Sequence, residues 1–278
     1  RNAFRYILQS IPQEIERLYI PYYTCPVVWE HLFFSGRIWF YRIDKNLEIA
    51  EDIELGTNDY IVVNNYFGIK DLYISELSKK YGNHLIIDNA QAFFAEPLQG
   101  IDTFYSARKF FGVADGAYLY TDAQLDMELE QDQSYQRMSH LLMRADIGAE
   151  AGYGEFRKND DSLIDSPIRL MSNLTEKILC SIDYESAKQL RRSNYMQLDE
   201  QFSAKNGIHL TMDEDAVPMV YPYLTDDATL RQRLIANRIY VATYWPNIKE
   251  WCNGDMLEYR LMGLLLPLPI NMEYEVSI

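Results

Sequence analysis

Cysteine, histidine and basic side chains are all scarce in this sequence. Three cysteines, Cys25, Cys180 and Cys252, are too few and too scattered for a disulfide framework or a zinc site. A reducing compartment, the cytoplasm, follows as the expectation. The four histidines (His31, His84, His140, His209) have no metal-ligand spacing to one another or to a cysteine, so no metal is expected. Lys and Arg number 26 against 41 acidic residues, a formal charge of −15 over 278 residues. With no cationic excess to release counterions, a general nucleic-acid or anionic-membrane surface is excluded, and any phosphate ligand has to be held locally. No uninterrupted apolar run approaches the ~18 residues of a membrane span. The best, residues 261–272 (LMGLLLPLPINM), is broken by prolines. The opening RNAF is neither an initiator Met nor a signal peptide, since Arg5 interrupts its apolar stretch. The reading is a soluble protein with an upstream piece missing.

What is present is aromatic and apolar: 22 Tyr, 12 Phe and 4 Trp in a chain 48% hydrophobic and 24% charged, the composition of a packed globular protein. Up to about residue 120, short runs of β-branched and aromatic residues alternate with helical spacing. Residues 2–9 put Phe4, Ile7 and Leu8 on one helical face, 18–21 reads as a strand, and 26–34 as a helix stopped at Gly36. Residues 37–43, 60–64, 84–88, 103–106 and 117–120 are strand candidates, and 71–81 is a helix with Asp71 at its start and Gly82 at its stop. The alternation predicts an α/β fold, a mostly parallel sheet flanked by helices, with ligands bound outside the carboxyl ends of the strands. Beyond residue 120 the pattern turns to long helical stretches, 122–143 and 171–204, with the charged segment 157–166 as an exposed loop. Residues 208–212, 217–224, 226–237 and 239–245 then read as a β-β-α-β set. The expected division is a large domain over 1–182 and a small C-terminal α+β domain over 183–278.

The chemistry is concentrated in residues 85–120, LIIDNAQAFFAEPLQGIDTFYSARKFFGVADGAYLY. Asp88 ends an apolar strand, so its carboxylate belongs at the carboxyl edge of the sheet, partly removed from water and in need of a cationic partner. Lys109 follows a second apolar strand and precedes a glycine-containing loop, 110–116. Partial desolvation and the adjacent Arg108 would both favour the neutral amine that Schiff-base chemistry requires. On pattern alone the plain alternative stays open: both are surface residues at loop starts, or an ordinary ion pair.

These residues resemble the core of the fold-type I pyridoxal phosphate (PLP) enzymes, and in particular the DegT/DnrJ/EryC1/StrS sugar aminotransferases. Asp88-Asn89-Ala90-Gln91 is similar to that family's Asp-x-Ala-Gln strand end, and Ser106 with Lys109 to its Ser-containing strand and Schiff-base lysine. Residues 168–195, 238–246 and 265–269 (LLPLP) resemble its Arg-containing helices and small domain, so the likeness spans nearly the whole chain. The resemblance implies PLP as cofactor, with Lys109 as its covalent anchor and base and Asp88 as partner of the pyridine nitrogen. It implies Gln91 and Asn65 at the phenolic oxygen and Ser106 at the phosphate. Asn2 and Ala3 would supply phosphate-binding amides from the helix start that matches the tail of the family's Ser-Gly-Thr-x-Ala signature. Where the family places a ring-stacking aromatic after Thr, this chain has Cys25, leaving Tyr23 or Tyr22 as the stacking candidate. Tyr66, Tyr244 and Trp245 are pocket candidates whose default reading is core packing.

The family's Gly-Glu-Gly-Gly is represented only by residues 114–117 (ADGA), its Gly-x-Asn by 165–167 (DSP), and the chain stops soon after LPLPIN. The activity implied is transfer of an amino group, from glutamate, to a nucleotide-linked keto-sugar by a homodimer. A PLP-dependent sugar dehydratase and a non-catalytic PLP-fold protein used for ligand binding or dimerisation are the alternatives, together with an unrelated α/β domain whose motif match is accidental.

Overall fold

A computed structural model describes residues 1–26 and 37–271. The strands β1 (Arg17–Pro21), β2 (Arg37–Tyr41), β3 (Asp59–Asn64), β4 (Leu85–Asn89), β5 (Asp102–Ser106) and β6 (Ala117–Tyr120) form one sheet in the order β2-β1-β3-β4-β5-β6. β1 to β5 are parallel and β6 joins β5 antiparallel. Every residue of β3 and β4 is buried, which is why both read as continuous apolar runs: a parallel sheet is covered on its two faces. On one face the helix α1 (Asn2–Ser10) packs Phe4 and Ile7 against Leu18, Ile20, Val62, Ile86 and Phe104. On the other, α2 (Asp71–Tyr81) packs Ile74, Leu77 and Tyr81 against Ile61, Val63, Leu85 and Ile87. Fully burying each such side chain contributes about 1.5–3 kcal/mol. Gly82, at φ 54°, ends α2 where a left-handed residue is needed. The helix expected at 26–34 lies outside the described residues.

The downstream half departs from the sequence reading. Residues 122–143 do not form one helix; only α3 (Ser139–Asp146) is helical after a short turn at Tyr135–Arg137. The acidic run before it instead pairs with residue 170 through Asp132 N–H to Leu170 O (3.1 Å) and Leu170 N–H to Glu130 O (3.0 Å). Asp132 is held by Arg137 at 2.5 Å and Arg169 at 3.6 Å, partners invisible to local spacing. The supposed loop at 157–166 is largely the end of α4 (Ala149–Ser162), anchored by Asn159 donating to Ala114 O (3.0 Å) and Arg108 to Asp160 (3.1 Å). α3 and α4 approach so closely that a Cβ on Gly152 would lie 2.6 Å from His140 O. The stretch 171–204 is broken into α5 (Asn173–Cys180) and α6 (Tyr184–Phe202), each with its own cap: Ser172 accepts from Thr175 N–H and Asp183 from Ser186 N–H.

In the C-terminal part, β7 (Val220–Leu224) and β8 (Leu265–Pro269) make a separate antiparallel pair, with α7 (Leu230–Ala236) and α8 (Leu257–Leu264) between them in sequence. The strands expected at 208–212 and 239–245 are absent, because side chains take the bonds a neighbouring strand would have made. The amide oxygen of Asn206 accepts from Ile208 N–H (3.2 Å) and Leu224 N–H (2.9 Å). The Arg231 guanidinium donates to Val241 O (3.2 Å), Ala242 O (2.6 Å) and Leu265 O (2.9 Å). The result is a β7-β8 hairpin-like pair with helices rather than the β-β-α-β set.

Candidate active site

The carboxyl ends of the parallel strands converge. Register pairs Asn64 at the end of β3 with Asp88 in β4, and the chain leaving β1 runs through Thr24 and Cys25. Asp88, Gln91 and Lys109 line one pocket together with Thr24, Cys25, Asn64, Asn65 and Trp245. Its enclosed interior is about 10 Å³, room for one water, within about 220 Å³ of space between the lining atoms.

Asp88 is 8% exposed. Burial pushes its carboxyl above the usual carboxylate range; Lys109 and the Ala90 N–H (2.8 Å) pull it back. Lys109 acts on it through space rather than by a hydrogen bond. The helix α1 begins at Asn2, with Arg1 as its N-cap. Its head has no side-chain cap, so its first N–H groups lack intrahelical acceptors, an end at which an anion is favoured.

Gln91 is 5% exposed and its amide is oriented unambiguously by the fold. Its Oε1 accepts from Phe67 N–H at 3.0 Å, which leaves Nε2 buried as a donor with no partner among the described residues. Phe67 itself is at φ 60°, and Gly68 after it at φ 71°, where a Cβ would stand 2.9 Å from Gln91 O and 3.0 Å from Val217 O. This tight turn is what aims the Phe67 N–H at Gln91.

The other expected site residues divide. Ser106 is half-buried at the end of β5, three residues before Lys109, on the correct edge of the sheet. Lys109 is exposed in the single chain, and Arg108 turns away to Asp160 and the Phe156 ring. Asn65 lines the pocket, yet both ends of its amide are engaged, Nδ2 donating to Asp71 (2.6 Å) and Oδ1 accepting from Lys70 N–H (3.1 Å). These bonds build the entry to α2. Tyr23 is fully buried, 4.5 Å from the Trp245 ring and outside the pocket lining. Tyr22 stacks on Phe40 at 5.1 Å. The Asn2 side chain donates to Pro167 O (2.8 Å) and to Ser166 (3.2 Å), and Ala3 packs under the sheet, so only their backbone amides are available to the site.

Sequence reasoning missed Thr24 and Asn64. Asn64 Nδ2 donates to Thr24 Oγ1 at 3.0 Å, and its Oδ1 is buried without a partner among the described residues. A polar residue closing the apolar run YIVVN, in line with Asp88, was the available signal. Arg191 in α6 had none. It is 3% exposed and meets no carboxylate; it donates to Met219 O (3.0 Å), Pro218 O (3.5 Å) and Phe110 O (3.4 Å), with the Phe110 ring 4.7 Å away. Burial lowers its pKa to about 10.

Among the described residues no cluster of His, Cys, Asp or Glu is arranged to hold a metal ion, and no helix is long and apolar enough to cross a membrane. No protein-family model matches the chain, and no curated protein matches it in sequence. Solved structures do. Spr1654 from Streptococcus pneumoniae in its PMP form superposes with a TM-score of 0.65 at 16% identity, over 99% of this chain and 80% of that one. DesV from S. venezuelae, in complex with a ketimine intermediate, gives 0.60 at 16% over 97% and 77%. The sugar aminotransferase CalS13 from Micromonospora echinospora gives 0.57 at 15% over 97% and 79%. With its mostly parallel six-stranded sheet, covering helices and separate β7-β8 pair, the chain has the fold of the sugar aminotransferases, the fold-type I architecture of PLP-dependent enzymes.

Proposed function

We propose that the protein is a PLP-dependent aminotransferase that moves an amino group from glutamate to a nucleotide-linked keto-sugar. One observation carries the cofactor reading: a buried amide donor with no partner, Gln91 Nε2, shares a pocket with a buried acid and a lysine. These groups fit PLP. Asp88 lacks a cation in contact, which a protonated pyridine nitrogen would supply; Gln91 offers a donor to a phenolic oxygen; the uncapped head of α1, through the amides of Asn2 and Ala3, and Ser106 suit a phosphate. When bound, PLP contributes an aldehyde carbon that takes up an amino group and a ring that withdraws electrons from it. Lys109 would be the residue that holds the cofactor, and its amine would serve as the base that takes up and returns a proton. Asp88 would pair with the ring nitrogen and favour its protonated form.

The sugar acceptor rests on the likeness in fold to sugar aminotransferases. A homodimer is proposed because Lys109 stands exposed in the single chain, where a second copy would exclude water from the reaction. The large and small domains are taken to divide at 182/183, and the protein to act in the cytoplasm.

The test is PLP titration of the purified protein followed by borohydride reduction and peptide mapping. Visible absorption and a reduced adduct on Lys109, both lost in Lys109→Ala, are expected. Glutamate should then discharge the chromophore in wild type, and a keto-sugar nucleotide should be recovered as its amine. Absence of any lysine-linked cofactor in wild type refutes the reading at its first step.

A further inference from the structure

We propose that Asp115 is a positioning residue for Lys109: its buried carboxylate fastens the loop that carries the lysine to two elements further down the chain. The proposal rests on the aminotransferase reading above. Lys109 ends the short turn Ala107–Lys109 and is exposed, so its place is set by the backbone rather than by packing of its side chain. The loop closes where Ala107 N–H donates to Gly116 O (3.2 Å), and the N–H groups of Phe110 and Phe111 fold back onto Ala107 O (3.1 and 3.0 Å). Lys109 therefore moves with residues 107–116 as a unit.

Asp115 is 8% exposed, and each of its oxygens is claimed from outside the loop. Oδ1 accepts from Thr175 Oγ1 (2.6 Å) in α5, and Oδ2 from Arg137 Nε (2.7 Å) in the turn before α3. Behind Thr175 stands a file of buried hydroxyls, with Ser134 Oγ 3.3 Å from Thr175 Oγ1 and 2.5 Å from Ser172 Oγ. The fit is close as well. Gly116 sits at φ 104°, where a Cβ would stand 2.8 Å from Thr175 Cγ2. Desolvating an ion pair and three hydroxyls costs more than an apolar contact would. What the directional network gives in return is one arrangement of the loop, where the packing of Ala107 and Val113 on Leu179 alone would admit several. A reactive amine needs that definition, since it has to be held within about 0.5 Å of its productive position.

The experiment measures the Kd of PLP and of 4′-deoxypyridoxine 5′-phosphate, which keeps ring and phosphate but has no aldehyde to condense with an amine. The proteins are wild type, Asp115→Asn, Thr175→Val and Thr175→Ser, with Asp115→Asn also made in Lys109→Ala. Asp115→Asn and Thr175→Val should each raise the PLP Kd about tenfold, leaving the deoxy compound within about twofold of wild type. Thr175→Ser, which keeps the hydroxyl, should recover most of the PLP affinity. In the Lys109→Ala background Asp115→Asn should change neither Kd, because the bond that depends on positioning is already gone. Wild-type PLP affinity in both Asp115→Asn and Thr175→Val overturns the proposal. So does an equal loss for the deoxy compound, or a loss that persists without Lys109, since either marks general damage to the fold. Should Asp115→Asn fail to fold, Thr175→Val takes its place in both backgrounds, and unaltered PLP binding there overturns the proposal as well. Failure of wild type to take up PLP overturns the aminotransferase reading together with this one, whereas normal uptake with indifferent variants overturns this one alone.

Discussion

Gln91 serves the fold with one end of its amide and the pocket with the other, so two substitutions should separate its roles. In Gln91→Ala the Phe67 N–H, donated at 3.0 Å to Oε1 in a residue with no exposed surface, loses its acceptor. An orphaned buried donor costs about 1–3 kcal/mol. At roughly 2–4 °C per kcal/mol for a chain of this size, the apoprotein should melt about 2–12 °C lower. Gln91→Glu keeps an oxygen for Phe67 but turns the pocket-facing donor into an acceptor beside Asp88. One hydrogen bond to a charged acceptor, about 1.5–3 kcal/mol, is then missing from the ligand complex, and the PLP Kd should rise roughly 10- to 150-fold. Thermal melting of apoprotein and PLP titration of each variant read the two effects. PLP binding unaltered in Gln91→Glu would refute the donor assignment, and a wild-type melting temperature in Gln91→Ala would refute the orientation of the amide.

Asp88→Asn should stabilise the apoprotein near neutral pH while slowing the glutamate half-reaction at least tenfold. The sign follows from burial: a carboxyl whose folded pKa is raised costs stability once ionised, a cost absent below the unfolded value near 3.9 and complete above the folded one. The melting temperature of Asp88→Asn should therefore exceed that of wild type at pH 7, with the gap closing as the pH falls toward 4; a gap that widens on acidification contradicts the assignment. For Gly68→Ala, the positive φ and two backbone oxygens at 2.9 and 3.0 Å leave no room for relaxation. A loss of about 2 kcal/mol or more is expected in urea unfolding, with weaker PLP binding as Gln91 is displaced.

The first 120 residues are legible because their signals are local. β3 and β4 are apolar through their middles and buried at every position, α2 begins at Asp71 and stops at Gly82, Asp88 lies near the end of β4, and Lys109 follows β5. Past that point the deciding contacts are distant. Nothing near residue 130 reports that Arg169 will claim Asp132, and nothing near 240 reports that Arg231 will take the carbonyls of Val241 and Ala242. The site follows the same rule. Gln91 and Ser106 are found from spacing to their neighbours, whereas the bonds of Asn65 to Asp71 and Lys70 depend on the turn that the loop makes before α2 and were not legible. Trp245 reaches the pocket from more than 130 residues beyond Lys109, through a backbone conformation its own sequence disfavours.

The carbonyl-bound Arg191 has a mechanical consequence. Its guanidinium is a rigid plate, with Nη1 donating to Met219 O and Nη2 to Phe110 O. Phe110 is the residue after Lys109, and Met219 is the residue before β7. A swing of the β7-β8 pair relative to the main sheet would therefore pull on the backbone next to Lys109, as a connecting rod turns a crank, or else strip partners from a buried charge. Opening and closing of the C-terminal part would in this way set where the nitrogen of Lys109 stands, with α6 as the shaft that transmits the motion.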